Sequence, residues 1–282
     1  MMAFYKPNIA FIEEHAVDPD KRRYIVAAEA ARHYIDMDHY GLYPYDSLPH
    51  NWNAAVAKYS EDSLNAHGIV PWWIPVMLTR LTNAFKEKNQ SRILKLSAEI
   101  GHYIGDLHVP LHASSNYNGQ LTNQKGIHGF WESRIPELLA DVNWDFFIGK
   151  AEYIAKPSEF VWARAMESAL AADSVLAIER ELSKQFPSDT KFSFEDRNGV
   201  IIRQYSTAFT TQYDALLKGM VERRMRQSIY AVASFWYTAW VNAGKPDLSN
   251  LNNKEFSKEE QDEFETLNQS WNNGSIKGRE HE

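Results

Sequence analysis

Apolar residues recur along most of this chain at spacings of three and four, the period of an amphipathic helix. The clearest run is Ile93, Leu94, Leu96, Ile100 and Ile104, which predicts a helix capped by Asn89 or Ser91. Pro110 disfavours helix at Val109, so that helix should end there and deliver His112 from just beyond it. Upstream, Asn51 to His67 reads as a helix closed by Gly68, and about Pro71 to Lys88 as another. The latter carries Trp72, Trp73, Ile74, Met77, Leu78, Leu81 and Phe85, a set expected in the core. Phe4 to His15 reads as the remainder of a helix that starts without a cap. Downstream, Pro157-Ser158 opens a helix to about Gln185, and Ser206 to Ala243 is the longest helical region, ending at Gly244. Only KFSFEDRNGVIIRQYS departs from the helical period, and its Asn-Gly pair predicts a small hairpin. Residues 245–282 are polar and poor in apolar spacing, apart from a possible short helix SKEEQDEFETL. The expected fold is all-α with at most a small β-hairpin: one multi-helix domain over residues 1–244, then a surface tail over 245–282.

Composition narrows the function classes. The 282 residues, 44% hydrophobic and 13% aromatic, are enough for a sizeable core. The net charge of -7 argues against a general electrostatic grip on nucleic acid, though not against a local site. Without cysteine there is no disulfide and no thiolate ligand. No apolar run approaches the roughly 18 residues of a membrane-spanning helix. The opening MMAFYKPNIAFIEEH lacks the apolar core of a signal peptide.

Chemistry concentrates between His102 and Glu132, where HYIGDLHVPLH is followed by a loop and then HGFWE. His102 and Asp106 are four residues apart, as are His128 and Glu132, so on helices each pair projects from one face. One such pair alone usually marks a solvated helix surface. Two pairs with His112 between them, set among apolar neighbours such as Ile104, Leu107 and Phe130, need partners that a metal supplies. Imidazoles and carboxylates without thiolates suit zinc or another divalent ion. The polar loop Ser114 to Gly126 should border this site. Further back, Asp18-Pro19 has the form of an N-cap followed by proline at the first helical position. His33, Asp36, Asp38 and His39 crowd before Gly41, as a turn or as a rim of ligands and substrate contacts.

HYIGDLHVPLH and H-x3-E resemble the superfamily of zinc-dependent phospholipases C and single-strand-specific nucleases, over about residues 3 to 243. That resemblance implies an all-helical fold with a cluster of three zincs. It assigns Asp18, His33, His102 and Asp106 to one zinc of a close pair, and His112, His128 and Glu132 to the other. It makes Asp18 a catalytic residue that also orients the nucleophile, and Tyr34 and Asp36 substrate contacts. The implied activity is phosphodiester hydrolysis, with a hydroxide shared by the two zincs attacking phosphorus; the substrate is a phospholipid or a single-stranded nucleic acid. Glu132 and the lack of cysteine lean towards the bacterial phospholipases. A non-catalytic helical protein with structural metals is the third possibility. Members of the superfamily bind their third zinc through an N-terminal tryptophan and a nearby His, and nothing here matches. Two zincs are therefore expected, with a third only if other residues replace that tryptophan or a truncated N-terminus is restored. In the latter case the resemblance implies an exported, periplasmic or secreted protein.

Overall fold

The computed structural model describes residues 1–197, 199–251 and 256–277. Of the described residues 66% are helical, and the single sheet among them is a two-stranded hairpin, so the class is all-α. Helices Val70–Glu87 and Gln90–Leu107 form an antiparallel pair, turned by Lys88 in the left-handed conformation and capped by Asn89. Met220–Asn242 and Pro157–Ser183 pack against this pair, with Ile74, Leu81, Ile93, Ile100, Ala165 and Phe235 at its centre. A second apolar cluster gathers Leu111, Ile127, Phe130, Ile135, Val175, Phe209 and Tyr213. The chain crosses from the first cluster to the second between Leu107 and Leu111, and the donor-rich residues lie at that seam.

The expected elements form, with breaks that periodicity does not mark. The Asn51 to His67 region is two helices, Trp52–Tyr59 and Glu61–His67, parted at Ser60, whose φ is 68°. Ser206 to Ala243 is likewise Thr207–Leu216 and Met220–Asn242, parted where Lys218 and Gly219 both take positive φ. Strands Phe192–Arg197 and Val200–Tyr205 make the hairpin, with Phe192 opposite Tyr205; Asn198 of its turn lies outside the described residues.

The end of the chain contributes to the core. Leu248, Leu251 and Leu267 are buried, and the helix Lys258–Asn273, opened by a capping box of Ser257 and Glu260, packs on the short helix Asp18–Arg22. Phe256 stacks on Phe11 at 4.6 Å and Phe264 lies 4.1 Å from the His15 ring. A few large apolar side chains at wide spacing are enough to dock a helix whose remaining surface is charged.

Candidate metal centre

Two groups of donor side chains meet at one cleft. In the Gln90–Leu107 helix, His102 and Asp106 stand one turn apart, with Nε2 3.3 Å from Oδ2. His33 follows the 3-10 turn Ala27–Arg32 and brings its Nδ1 to 2.9 Å from the same Asp106 oxygen. Asp20 completes the first group from the Asp18–Arg22 helix, 3.6 Å from His33 Nδ1 and 3.7 Å from His102 Nε2. In the second group, Glu132 faces two imidazoles: Oε1 is 2.9 Å from His112 Nε2, and Oε2 is 3.2 Å from His128 Nε2. Within Asp20, His33 and His102, and within His112, His128 and Glu132, the donor atoms all lie inside 4.8 Å of one another.

Local sequence explains most of these placements. Pro110 does end the helix: Leu107 is its last residue, Val109 is extended, and His112 follows on the 3-10 turn Pro110–Ala113. Glu132 sits in a π-helical turn, Phe130–Arg134, a wide turn often found at functional sites. The Ser114 to Gly126 loop borders the site as expected. Its Asn118 side chain accepts the backbone N–H groups of Gly126 and His128 at 2.8 and 3.3 Å. Gly68 lets the chain cross behind His33. Its φ is +88°, and a Cβ there would lie 2.1 Å from the Tyr34 carbonyl oxygen.

Outer partners fix the imidazoles. His112 Nδ1 faces the carbonyl of His33 at 2.6 Å, and His128 Nδ1 faces that of Tyr117 at 3.0 Å. A carbonyl only accepts, so both Nδ1 atoms carry a proton, and each Nε2 is the atom that faces Glu132, donating to it in the imidazolium form and free to take a metal once that proton leaves. The other nitrogen of His33 lies 3.7 Å from Glu29, which is fully buried and also engages Arg22, Arg32 and the Tyr103 hydroxyl. A carboxylate behind a ligating histidine sets its orientation and basicity.

The electrostatics are those of a charge-dense buried site. Burial opposes the charge of Asp106, but the His102 and His112 imidazoles outweigh it and draw its carboxyl down to about 2. Glu132 is likewise held far below the usual range by His128 and His112, against burial. Burial disfavours the His33 imidazolium, yet Asp106 and Glu29 raise its pKa to about 9. Each charge is thus stabilised by opposite charges crowded at hydrogen-bond distance. A divalent cation bound through nitrogen and oxygen satisfies the same donors, so the residues present fit zinc or a similar ion.

Asp18 requires correction. Its carboxylate accepts from His15 Nδ1 at 2.6 Å and from Lys21 Nζ at 2.9 Å, and it belongs to neither donor group; it makes no N-cap bond either. Residues two apart on a helix do not share a face, so Asp18 and Asp20 diverge and Asp20 takes the place expected for Asp18. The other six expected ligands, His33, His102, Asp106, His112, His128 and Glu132, converge. Tyr34 and Asp36 are buried; the Tyr34 hydroxyl donates to Ala66 O at 3.2 Å and Asp36 holds His67 Nδ1 at 3.2 Å. They line a cavity of about 500 Å3 whose walls include none of the seven donors. Two residues escaped the sequence reading. Asp20 had no distinguishing signal, whereas Glu29 did, standing four residues from His33, the spacing of the other pairs with the order reversed.

The cleft itself, about 290 Å3, is lined by Asp20, His102, Asp106 and Glu132, with Val109, Trp131, Pro136, Val221 and Met225 as apolar wall. His108 also lines it, buried, with Nδ1 on the Ile104 carbonyl at 2.7 Å; burial, with Arg224 nearby, lowers its pKa to about 3 and keeps it neutral. Fold and site together define a helical protein with a paired imidazole–carboxylate centre. Comparison with protein-family models and with curated proteins returned no match.

Proposed function

We propose that this protein is a zinc-dependent phosphodiester hydrolase of the phospholipase C type. The observation that carries the reading is the convergence of two nitrogen–oxygen donor groups on the wall of one cleft. Asp20, His33, His102 and Asp106 would hold one ion, and His112, His128 and Glu132 the other. When bound, such ions supply Lewis acidity, activating water near neutral pH and neutralising charge on a phosphodiester. Asp20 has the most exposed side chain of the first group, 34% against 13% for Asp106 and 12% for His102, so it is best placed to take a proton from the attacking water. Arg224, at the cleft wall, donates to the His108 carbonyl at 2.8 Å and to Glu167 at 3.0 Å, which sets a positive charge close to the cleft. The apolar wall of Trp131, Val221 and Met225 suits a diester flanked by hydrocarbon. Tyr34 and Asp36, in their separate cavity, lend no base contact there.

The test combines zinc analysis with hydrolysis of bis(p-nitrophenyl) phosphate, a short-chain phosphatidylcholine and a single-stranded oligonucleotide. About two zincs per chain, the count of a binuclear site, and chelator-sensitive cleavage lost in His128→Ala are expected. Preference for the oligonucleotide would replace the lipid reading by a nuclease. Two zincs without cleavage of any diester would leave structural metals. Hydrolysis at the parent rate in His128→Ala would overturn the assignment.

A further inference from the structure

We propose that a second cavity, separate from the metal cleft, binds an anionic amphiphile, a hydrocarbon chain bearing a carboxylate or phosphate head. The inference is independent of the phosphodiesterase reading. The cavity measures about 500 Å3 and is walled mainly by Trp52, Trp72, Trp73, Pro75 and Val76. Small-molecule sites have this character, roughly 300–1,000 Å3 of apolar and aromatic surface with few polar groups. None of its lining residues belongs to the metal cleft. The walls are preformed. Trp72 donates its indole N–H to the His50 carbonyl at 2.9 Å and packs edge-on against Trp52 and Trp162, with centroids 5.5 and 4.9 Å away.

The charge at one end selects the head group. The guanidinium groups of Arg32 and Arg80 lie 4.0 and 4.7 Å from the centroid of the Trp73 ring. Arg32 and Trp73 also line an adjoining cavity that contains Arg22, Arg80, Arg92 and Lys95 against Glu99, Glu260 and Glu263, so cations outnumber carboxylates there. Arg32, Arg92 and Lys95 pair with Glu29, Glu87 and Glu263 respectively. Arg80 pairs with no carboxylate among the described residues; its side chain contacts the Met77 sulfur at 4.0 Å. The indole N–H of Trp73 is buried and has no acceptor among the described residues. An anionic head at the edge of this stack would give Arg80 the counter-charge it lacks. A cationic ligand is disfavoured, because the guanidinium groups already stack on that ring and would repel it. Glu61, the one anionic residue among the described lining residues, is exposed to solvent.

Decanoate, decyl phosphate and uncharged decanol, each below its aggregation limit, provide the test, read by calorimetry and by tryptophan fluorescence. Both anions should bind saturably and at least about fivefold more tightly than decanol, as expected for one charge contact with an exposed guanidinium. Whichever anion binds tighter identifies the head as carboxylate or phosphate. Arg80→Gln should erase most of the preference over decanol, and Val76→Asp, at an exposed lining position, should abolish anion binding. Unchanged thermal unfolding and far-UV circular dichroism would show each variant to be intact. The proposal is overturned if neither anion saturates below about 1 mM, if decanol binds as well as the anions, or if an intact Val76→Asp variant binds like the parent.

Discussion

Asp18 and Asp20 lie two positions apart and should respond to substitution in opposite ways. Asp18 is 2% exposed, and its carboxylate joins His15 and Lys21, which are themselves buried. Asp18→Ala leaves Lys21 in place with no anion, and breaking a buried pair in this way costs about 3–5 kcal/mol. At roughly 2–4 °C per kcal/mol for a chain of this size, Tm should fall by roughly 6–20 °C. The zinc content of the protein that remains folded should be unchanged. Asp20 instead has a side chain 34% exposed, and its contact with Arg23 is 3.4 Å. Asp20→Ala should cost the metal-free fold about 1 kcal/mol or less. Removing a ligand should weaken zinc binding by more than the roughly 10–100-fold lost with an outer partner. Melting must be compared in chelator, because a bound ion stabilises by RT ln(1 + [L]/Kd) and would mask the contrast. Zinc per chain by elemental analysis supplies the second axis. If Asp18→Ala sheds zinc while melting like the parent, and Asp20→Ala keeps its full complement, the placement of these two carboxylates is wrong.

Three further outcomes follow from the same geometry. Gly68→Ala combines a φ of +88° with a Cβ lying 2.1 Å from the Tyr34 carbonyl oxygen, so it should cost about 1–3 kcal/mol in urea unfolding and loosen zinc in the His33 group; parental values for both would refute the crossing. Glu29→Gln should weaken zinc binding about 10–100-fold in competition with a chromophoric chelator, and an unchanged affinity would remove Glu29 from the site. His33, raised to about 9 without metal, contributes stability that is full below its unfolded value near 6.5 and is lost as pH rises through about 9. Zinc entering the site in that window should displace the His33 proton, so calorimetric heats should depend on the ionisation enthalpy of the buffer; equal heats in two buffers would contradict a protonated His33.

The legible part of the site is the part written into single helices. His102 with Asp106, and His128 with Glu132, need only the four-residue period, and His112 needs only the stop imposed by Pro110. Those rules are local, so no knowledge of tertiary structure was required, and the all-α class followed from the same periodicity. Breaks were less legible. Ser60 takes a positive φ that no residue preference announces, whereas Gly219 carried a signal that the long apolar pattern around it obscured.

The choice between Asp18 and Asp20 is a different kind of problem. A helix of five residues can be rotated about its axis at little local cost, and both aspartates suit its first turn. Its rotation is set by groups distant in sequence. His15 packs against Phe264 of the Lys258–Asn273 helix, and that helix covers the Asp18–Arg22 segment. His15 and Lys21 then offer Asp18 a buried partner on each side, which leaves Asp20 facing His33 and His102. The region that reads as a surface tail therefore helps to decide which carboxylate reaches the centre. This makes the C-terminal helix part of the site's construction although it supplies no donor. Leu267→Ala, deleting a side chain 2% exposed, should cost about 2–5 kcal/mol and loosen that docking. It should also lower zinc affinity in the first group while sparing the second, whose imidazoles are fixed by Glu132 and by the carbonyls of His33 and Tyr117. Equal loss from both groups, seen as parallel release in a chelator titration, would mean that the helix supports the whole fold and does not select the carboxylate.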